Sequence, residues 1–212
     1  MAPSESLANR INSAPRTTVS GRWMRHVPIR YRAEGLVGLA ADGRWSRRNS
    51  FPVLYLGRPV ESVTVEAYRH LVDKSEGMRP ELVAPRALFT CDVEVSNILD
   101  LRTAGGRATA GLDLATLQSL PDDKLSYEAC REVASAAHQL GLYGLVAPAA
   151  TNLGETLVLF TDLLPEDEWP QISAESEWEH LPPDPRGKGG LRLVRGPWGP
   201  DPVSWTRRIP HP

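Results

Sequence analysis

The chain has 212 residues, with 24 basic against 26 acidic side chains, a net charge of −2 and a hydrophobic share of 41%. That length supports one sizeable core in one domain, and the charge balance lacks the basic excess of a direct nucleic-acid binder. Two cysteines, Cys91 and Cys130, are too few for a disulfide scaffold and have no metal-ligand spacing. No apolar run reaches membrane-span length, and the polar N-terminus lacks the apolar centre of a secretory signal. The expectation is a soluble cytoplasmic protein with no metal and no membrane partner.

Residues 1–20 show no periodicity and read as a flexible arm. Trp23–Val27 alternates as a short strand does, and the glycine-, serine- and charge-rich stretch 33–51 reads as a long loop of the kind usually tied to function. Val53–Leu56 predicts a strand between Pro52 and Gly57, and Pro59 opens a predicted helix over 59–74. Its apolar stripe is Val60, Val63, Ala67 and Leu71; Ser62, Glu66, Arg69 and Asp73 share the opposite face. The run 87–95 alternates with Phe89, Cys91, Val93 and Val95 inward, and it is expected to continue to Leu101 after a bend at Ser96-Asn97. Gly105-Gly106 reads as a turn, Asp113 caps a short helix through Leu120, and a longer helix covers 126–140 until Gly141 stops it. Strands at 143–147 and 156–160 follow, joined by a loop over 148–155. Ten of the nineteen prolines and four of the six tryptophans lie beyond residue 164, which disfavours helix or central strand there.

One constellation carries chemistry. Arg44, Tyr55 and Glu66 stand at steps of eleven residues, with Arg25 nineteen residues before Arg44. Arginine presents a fixed fork of donors that matches phosphate oxygens, so Arg25 and Arg44 suit a pyrophosphate. Tyr55 offers a flat face for a base, and Glu66 a carboxylate. Each residue also has a plainer reading on its own: a surface arginine on a strand, a core tyrosine, a solvated glutamate pairing with Arg69 or His70. Only the joint pattern favours a site. His26, beside Arg25, is as readily structural, and His70 and His138 fit no metal spacing.

The strings Trp23-Met24-Arg25, Gly43-Arg44-Trp45, Pro52–Leu56, Glu61–Glu66, Gly141–Leu145 before Pro148, and Leu157–Phe160 together resemble the RES-domain family, the toxin halves of RES–Xre toxin–antitoxin pairs. The resemblance covers residues 22–161. It implies an α+β, ADP-ribosyltransferase-like fold with small antiparallel sheets and packed helices around an NAD cleft. The implied organisation is an arm over 1–20, a RES domain over 21–162 and a Pro/Trp-rich extension over 163–212.

By the same resemblance the substrate is NAD+, the nicotinamide–ribose bond is cleaved, and Arg25, Arg44, Tyr55 and Glu66 are site residues. Cleaving that bond builds positive charge on the ribose, which a carboxylate such as Glu66 stabilises. Nicotinamide is already a cationic leaving group, so one carboxylate suffices. The family serine after Pro148 is replaced by Ala149, which removes a hydrogen bond of about 0.5–1.5 kcal/mol; Thr151 and Asn152 are the candidates to replace it. Three functions are therefore expected in turn: an NAD+ glycohydrolase or phosphorylase, an ADP-ribosyltransferase acting on a protein, or a catalytically weakened domain that binds a nucleotide or partner. The implied partner is an Xre-type antitoxin.

Overall fold

A computed structural model describes residues 6–186. Helix α1 (Leu7–Ser13) and strand β1 (Arg16–Pro28) come first. Then follow β2 (Val53–Arg58), α2 (Val60–Leu71), β3 (Arg86–Asp100), α3 (Ala104–Ala110), α4 (Leu114–Gln118) and α5 (Lys124–Gln139). Strands β4 (Gly144–Pro148), β5 (Glu155–Phe160) and β6 (Gln171–Trp178) complete the chain.

The α+β class expected from the sequence is present, and the strands expected as small sheets share one sheet. Its order is β1-β2-β5-β4-β3-β6, and a further β1–β3 pairing closes the first five strands into a ring. Every pairing is antiparallel except β3–β4. Closure leaves fewer exposed edges than an open sheet would, with β6 outside the ring as an edge strand. It also gives the strands an inside: Trp23, Leu54, Leu56, Phe89, Cys91, Val93, Val146, Leu157 and Leu159 form one buried cluster drawn from all five strands. The opposite face of β2, β5 and β4 carries Val53, Val158, Phe160, Leu145 and Ala147, packed with Ile11, Leu117 and the Cys130, Val133 and Ala137 face of α5.

The alternation read along 87–95 holds, and the bend at Ser96-Asn97 is a left-handed Asn97 (φ 53°) within a continuous strand. That residue shifts the parity, so that Val95 and Ile98 both face the ring interior.

Three expectations are corrected. The supposed flexible arm is ordered from residue 6: Ser6 caps α1, Ile11 is fully buried, and β1 pairs with β3 from Arg16 onward. Gly105-Gly106 lies within α3 rather than in a turn. A Cβ on Gly106 would stand 2.0 Å from the Asp100 carbonyl, so this glycine serves the close approach of α3 to the end of β3. The region after residue 162 contributes β6, which pairs with the half of β3 from Arg86 to Asp92. It is an edge strand, where proline is tolerated. The extension beyond Arg186, with Trp198, Trp205 and the basic residues Arg192, Arg195, Arg207 and Arg208, lies outside the described residues. Among the described residues no helix is long and apolar enough to cross a membrane.

Candidate active site

Helix α2 follows β2 directly, across a cis Arg58–Pro59 bond. Its buried side includes Val63, Ala67 and Tyr68, and Arg69 reaches the loop that joins β4 to β5, with Glu66 beside it. Glu66 is partly exposed, at 29% of its side chain, with His70 Nε2 at 3.3 Å and Arg69 Nη1 at 3.9 Å. Arg69 is far less exposed, at 12%. It donates through Nη1 to the carbonyl of Ala150 and through Nη2 to that of Ser119, the latter at 3.4 Å.

The Ser119 carbonyl is shared. Arg44 Nη2 donates to it at 2.6 Å, while Arg44 Nη1 donates to Thr116 O at 2.8 Å and Ser119 Oγ at 3.0 Å. These carbonyls lie at the C-terminal end of α4, where helical acceptors lack intrahelical donors. The Arg44 guanidinium also lies over the Tyr127 ring, 4.4 Å from its centroid. Burial raises the pKa of Tyr127, and charges on Arg44, Glu66 and Arg69 all act on it. Four segments thus meet: α2, the loop carrying Arg44, the α4 end with the start of α5, and the loop 148–154.

That last loop is held by close approach. Gly154 has φ +73°, and a Cβ there would fall 2.0 Å from the Arg58 carbonyl. Ala149 is 1% exposed, and its N–H donates to Gly154 O. Thr151 Oγ1 hydrogen-bonds Ser62 Oγ at 2.9 Å and accepts from Leu153 N, so its hydroxyl already joins the loop to α2. Asn152 adopts φ 61° and accepts through Oδ1 from Gln118 Nε2 at 2.9 Å.

Of the residues singled out in the sequence, the structure brings together Glu66, Arg44, Ala149, Thr151 and Asn152. Tyr55 adjoins them, half-buried, with its hydroxyl turned inward. Its ring packs against the outer core, and its hydroxyl accepts from Trp45 N at 3.2 Å and lies 3.5 Å from Ser46 Oγ. Burial raises its pKa. Arg25 shares the ring-facing side of β1 with Trp23 and Val27, and its Nη1 donates to the Tyr55 carbonyl at 3.2 Å. Its Nε is buried without a protein partner, and burial lowers its pKa. A buried cation with an unused donor is costly unless an anion or water completes it.

His26 is structural. It accepts from Arg86 Nε at 2.6 Å and stacks on Trp178, and burial reinforced by Arg86 depresses its pKa to about 3. Sequence reasoning missed Arg69, Ser119 and Tyr127 as site residues. The signal for Arg69 was its place three residues after Glu66 on one helix face; Ser119 and Tyr127 carried none. Among the described residues no cluster of three or more His, Cys, Asp or Glu could hold a metal.

Comparison with known proteins places this architecture. The RES domain matches residues 13–179, beyond the 21–162 expected on both sides. The chain is 31% identical over 192 residues to the probable NAD(+) phosphorylase Rv3189 of Mycobacterium tuberculosis, covering 89% of this chain and 85% of that protein. It is 32% identical over 112 residues to the NAD(+) phosphorylase MbcT of Mycobacterium bovis, covering 53% and 58% of the two chains. In structure it is similar to a chain of the M. tuberculosis MbcT–MbcA toxin–antitoxin complex, with TM-score 0.70 and 26% identity over 82% of this chain and 93% of that one. The chain belongs to the RES domain family.

Proposed function

We propose that this protein is an NAD+-consuming toxin enzyme that cleaves the nicotinamide–ribose bond and passes ADP-ribose to inorganic phosphate. The observation that carries the reading is the convergence of Glu66 with Arg44, Arg69 and the 148–154 loop. Similarity to the phosphorylases Rv3189 and MbcT supports the choice of substrate and acceptor.

In this reading the Glu66 carboxylate faces the ribose as positive charge develops on it. A phosphate oxygen forms the new bond to the ribose carbon, and nicotinamide departs with the electron pair of the broken C–N bond. Arg25, with its unused Nε, is the candidate for the dinucleotide phosphates. Arg44 acts mainly by holding the α4 end, since Nη1 and Nη2 are both bound to main-chain carbonyls. An Xre-type antitoxin that covers the cleft is the proposed partner, by analogy with the MbcT–MbcA complex. A cytoplasmic setting belongs to the same proposal.

The test is to incubate the full chain with NAD+, with and without phosphate, and to separate the products. Phosphate-dependent release of nicotinamide with ADP-ribose phosphate, lost in Glu66→Gln, is expected. Free ADP-ribose made equally well without phosphate would replace phosphorolysis by hydrolysis. Label transferred to a protein would favour the transferase. Ala149 favours one rival specifically, a weakened nucleotide- or partner-binding domain; NAD+ binding without any turnover would support it.

A further inference from the structure

A concavity of about 250 Å³ is lined by Arg102, Arg107, Leu114, Gln118, Pro148, Ala149, Asn152 and Gly154. Its only charged lining residues are the two arginines. Arg102 is neutralised from behind by Asp100, which accepts from its Nε at 3.0 Å and from Nη2 at 2.7 Å. Glu155 lies 3.9 Å from Arg102 but is held by Arg58 through bonds of 2.9 and 2.6 Å. Arg107 is fixed by main chain: its Nη1 donates to Leu101 O at 3.1 Å and Arg102 O at 2.6 Å. Among the described residues no carboxylate lies within 4.0 Å of Arg107. Asp100 and Glu155 are thus taken up by Arg102 and Arg58, and of the two arginines on the cavity wall Arg107 is the one left without a carboxylate.

We propose that this concavity is an anion pocket that binds a phosphate group, with Arg107 as its charged anchor and the amides of Gln118 and Asn152 as neutral donors. An immobilised guanidinium with free N–H groups matches tetrahedral oxyanions, and amide N–H groups complete such a site without adding charge. A concavity of this volume has room for a phosphate or a small phosphate ester. The pocket shares chain segments with the candidate active site. Gln118 on its wall precedes Ser119, which Arg44 and Arg69 share, and Ala149 and Asn152 flank Ala150, which Arg69 holds. Its role as the store of the phosphate acceptor rests on the phosphorolytic reading above; its existence as a phosphate site does not.

Direct binding separates the two claims. Equilibrium dialysis of radiolabelled inorganic phosphate onto the full chain, without NAD+, is expected to give saturable binding. Affinity should fall at least tenfold in Arg107→Gln and in Gln118→Glu, and Glu66→Gln should leave it unchanged. The two pocket substitutions sit on different helices, α3 and α4, and circular dichroism identifies either one that fails to fold. Competition by ribose 5-phosphate stronger than by phosphate would assign the pocket to a phosphate ester rather than the free ion. Absence of saturable binding of both ligands, or binding indifferent to whichever folded pocket variant is measured, overturns the pocket. In the turnover assay, a raised KM for phosphate with KM for NAD+ unchanged ties it to the acceptor. Binding without turnover would retain the pocket and reject the enzymatic reading.

Discussion

Replacing Arg69 by alanine tests whether the site is a set of exposed side chains or a jointly held unit. The side chain is 12% exposed, and its guanidinium bonds the carbonyls of Ala150 and Ser119, with Glu66 3.9 Å away. A hydrogen bond involving a charged donor contributes about 1.5–3 kcal/mol. The longer contact to Ser119 adds less, and the ion pair with Glu66, screened by solvent, adds at most about 1 kcal/mol. Truncation should therefore cost about 2–4 kcal/mol, which for a domain of this size lowers Tm by about 5–15 °C. Arg69→Lys should recover only part of that, because one ammonium cannot reproduce a planar fork aimed at two carbonyls. Thermal unfolding followed by circular dichroism measures the shift, and NAD+ turnover below the new Tm measures the functional part. Loss of the tie between α2 and the 148–154 loop should cut kcat/KM by about tenfold or more, since catalysis is sensitive to displacements near 1 Å. A Tm within about 2 °C of wild type would show that Arg69 is an ordinary solvated arginine and remove the argument for a jointly held site.

Acid sensitivity should arise in part at His26, whose folded pKa of about 3 lies below its ordinary value of 6.5. The unfolded chain binds a proton that the fold refuses, so stability falls as pH drops below 6.5, by about 2.5 kcal/mol between pH 6 and 4. Urea unfolding at the two pH values measures this, and an unaltered pH slope in a folded His26→Gln variant would refute the assignment. Gly106→Ala should destabilise by about 1–3 kcal/mol or more because its Cβ meets the Asp100 carbonyl at 2.0 Å. Gly105→Ala, with open space around it, should be neutral or stabilising by up to about 1 kcal/mol; equal effects in denaturant titrations would contradict the close-approach argument. Ala149→Ser should raise kcat/KM about 2- to 10-fold if a hydrogen bond of ordinary strength is what the alanine removed. No change in NAD+ turnover would mean that the loop has no acceptor or substrate atom to meet a hydroxyl there.

The elements legible in the sequence were those with one wet and one dry face. Helix α5 buries Val133, Ala136 and Ala137 at helical spacing, and β3 buries Phe89, Cys91 and Val93 in alternation. Strand β6 has no such signal because all its residues but Trp178 are exposed, and it owes its place to main-chain pairing with β3. Helix α1 buries Ile11 alone, too little to produce a period. The role of Gly106 was hidden for a related reason: a glycine needed for a close approach looks in sequence like a glycine needed for a turn.

At the site, residue type was readable but commitment was not. Arg44 and Tyr55 were expected to meet ligand, and the fold directs much of their polar capacity inward, to the α4 end and to the loop at Trp45 and Ser46. Arg69, which looked like a partner of Glu66 on a solvated face, ties together two loops that no local pattern connects. Such roles depend on which distant carbonyls need donors, and that is settled only when the ring of strands closes and the helix ends come to rest. The same reasoning ranks the remaining groups. Arg25 Nε and the Arg107 guanidinium are cationic donors left without a carboxylate, whereas Arg44, Arg58 and Arg102 are held within the protein. These two arginines therefore keep cationic donor capacity that no carboxylate within the described residues takes up.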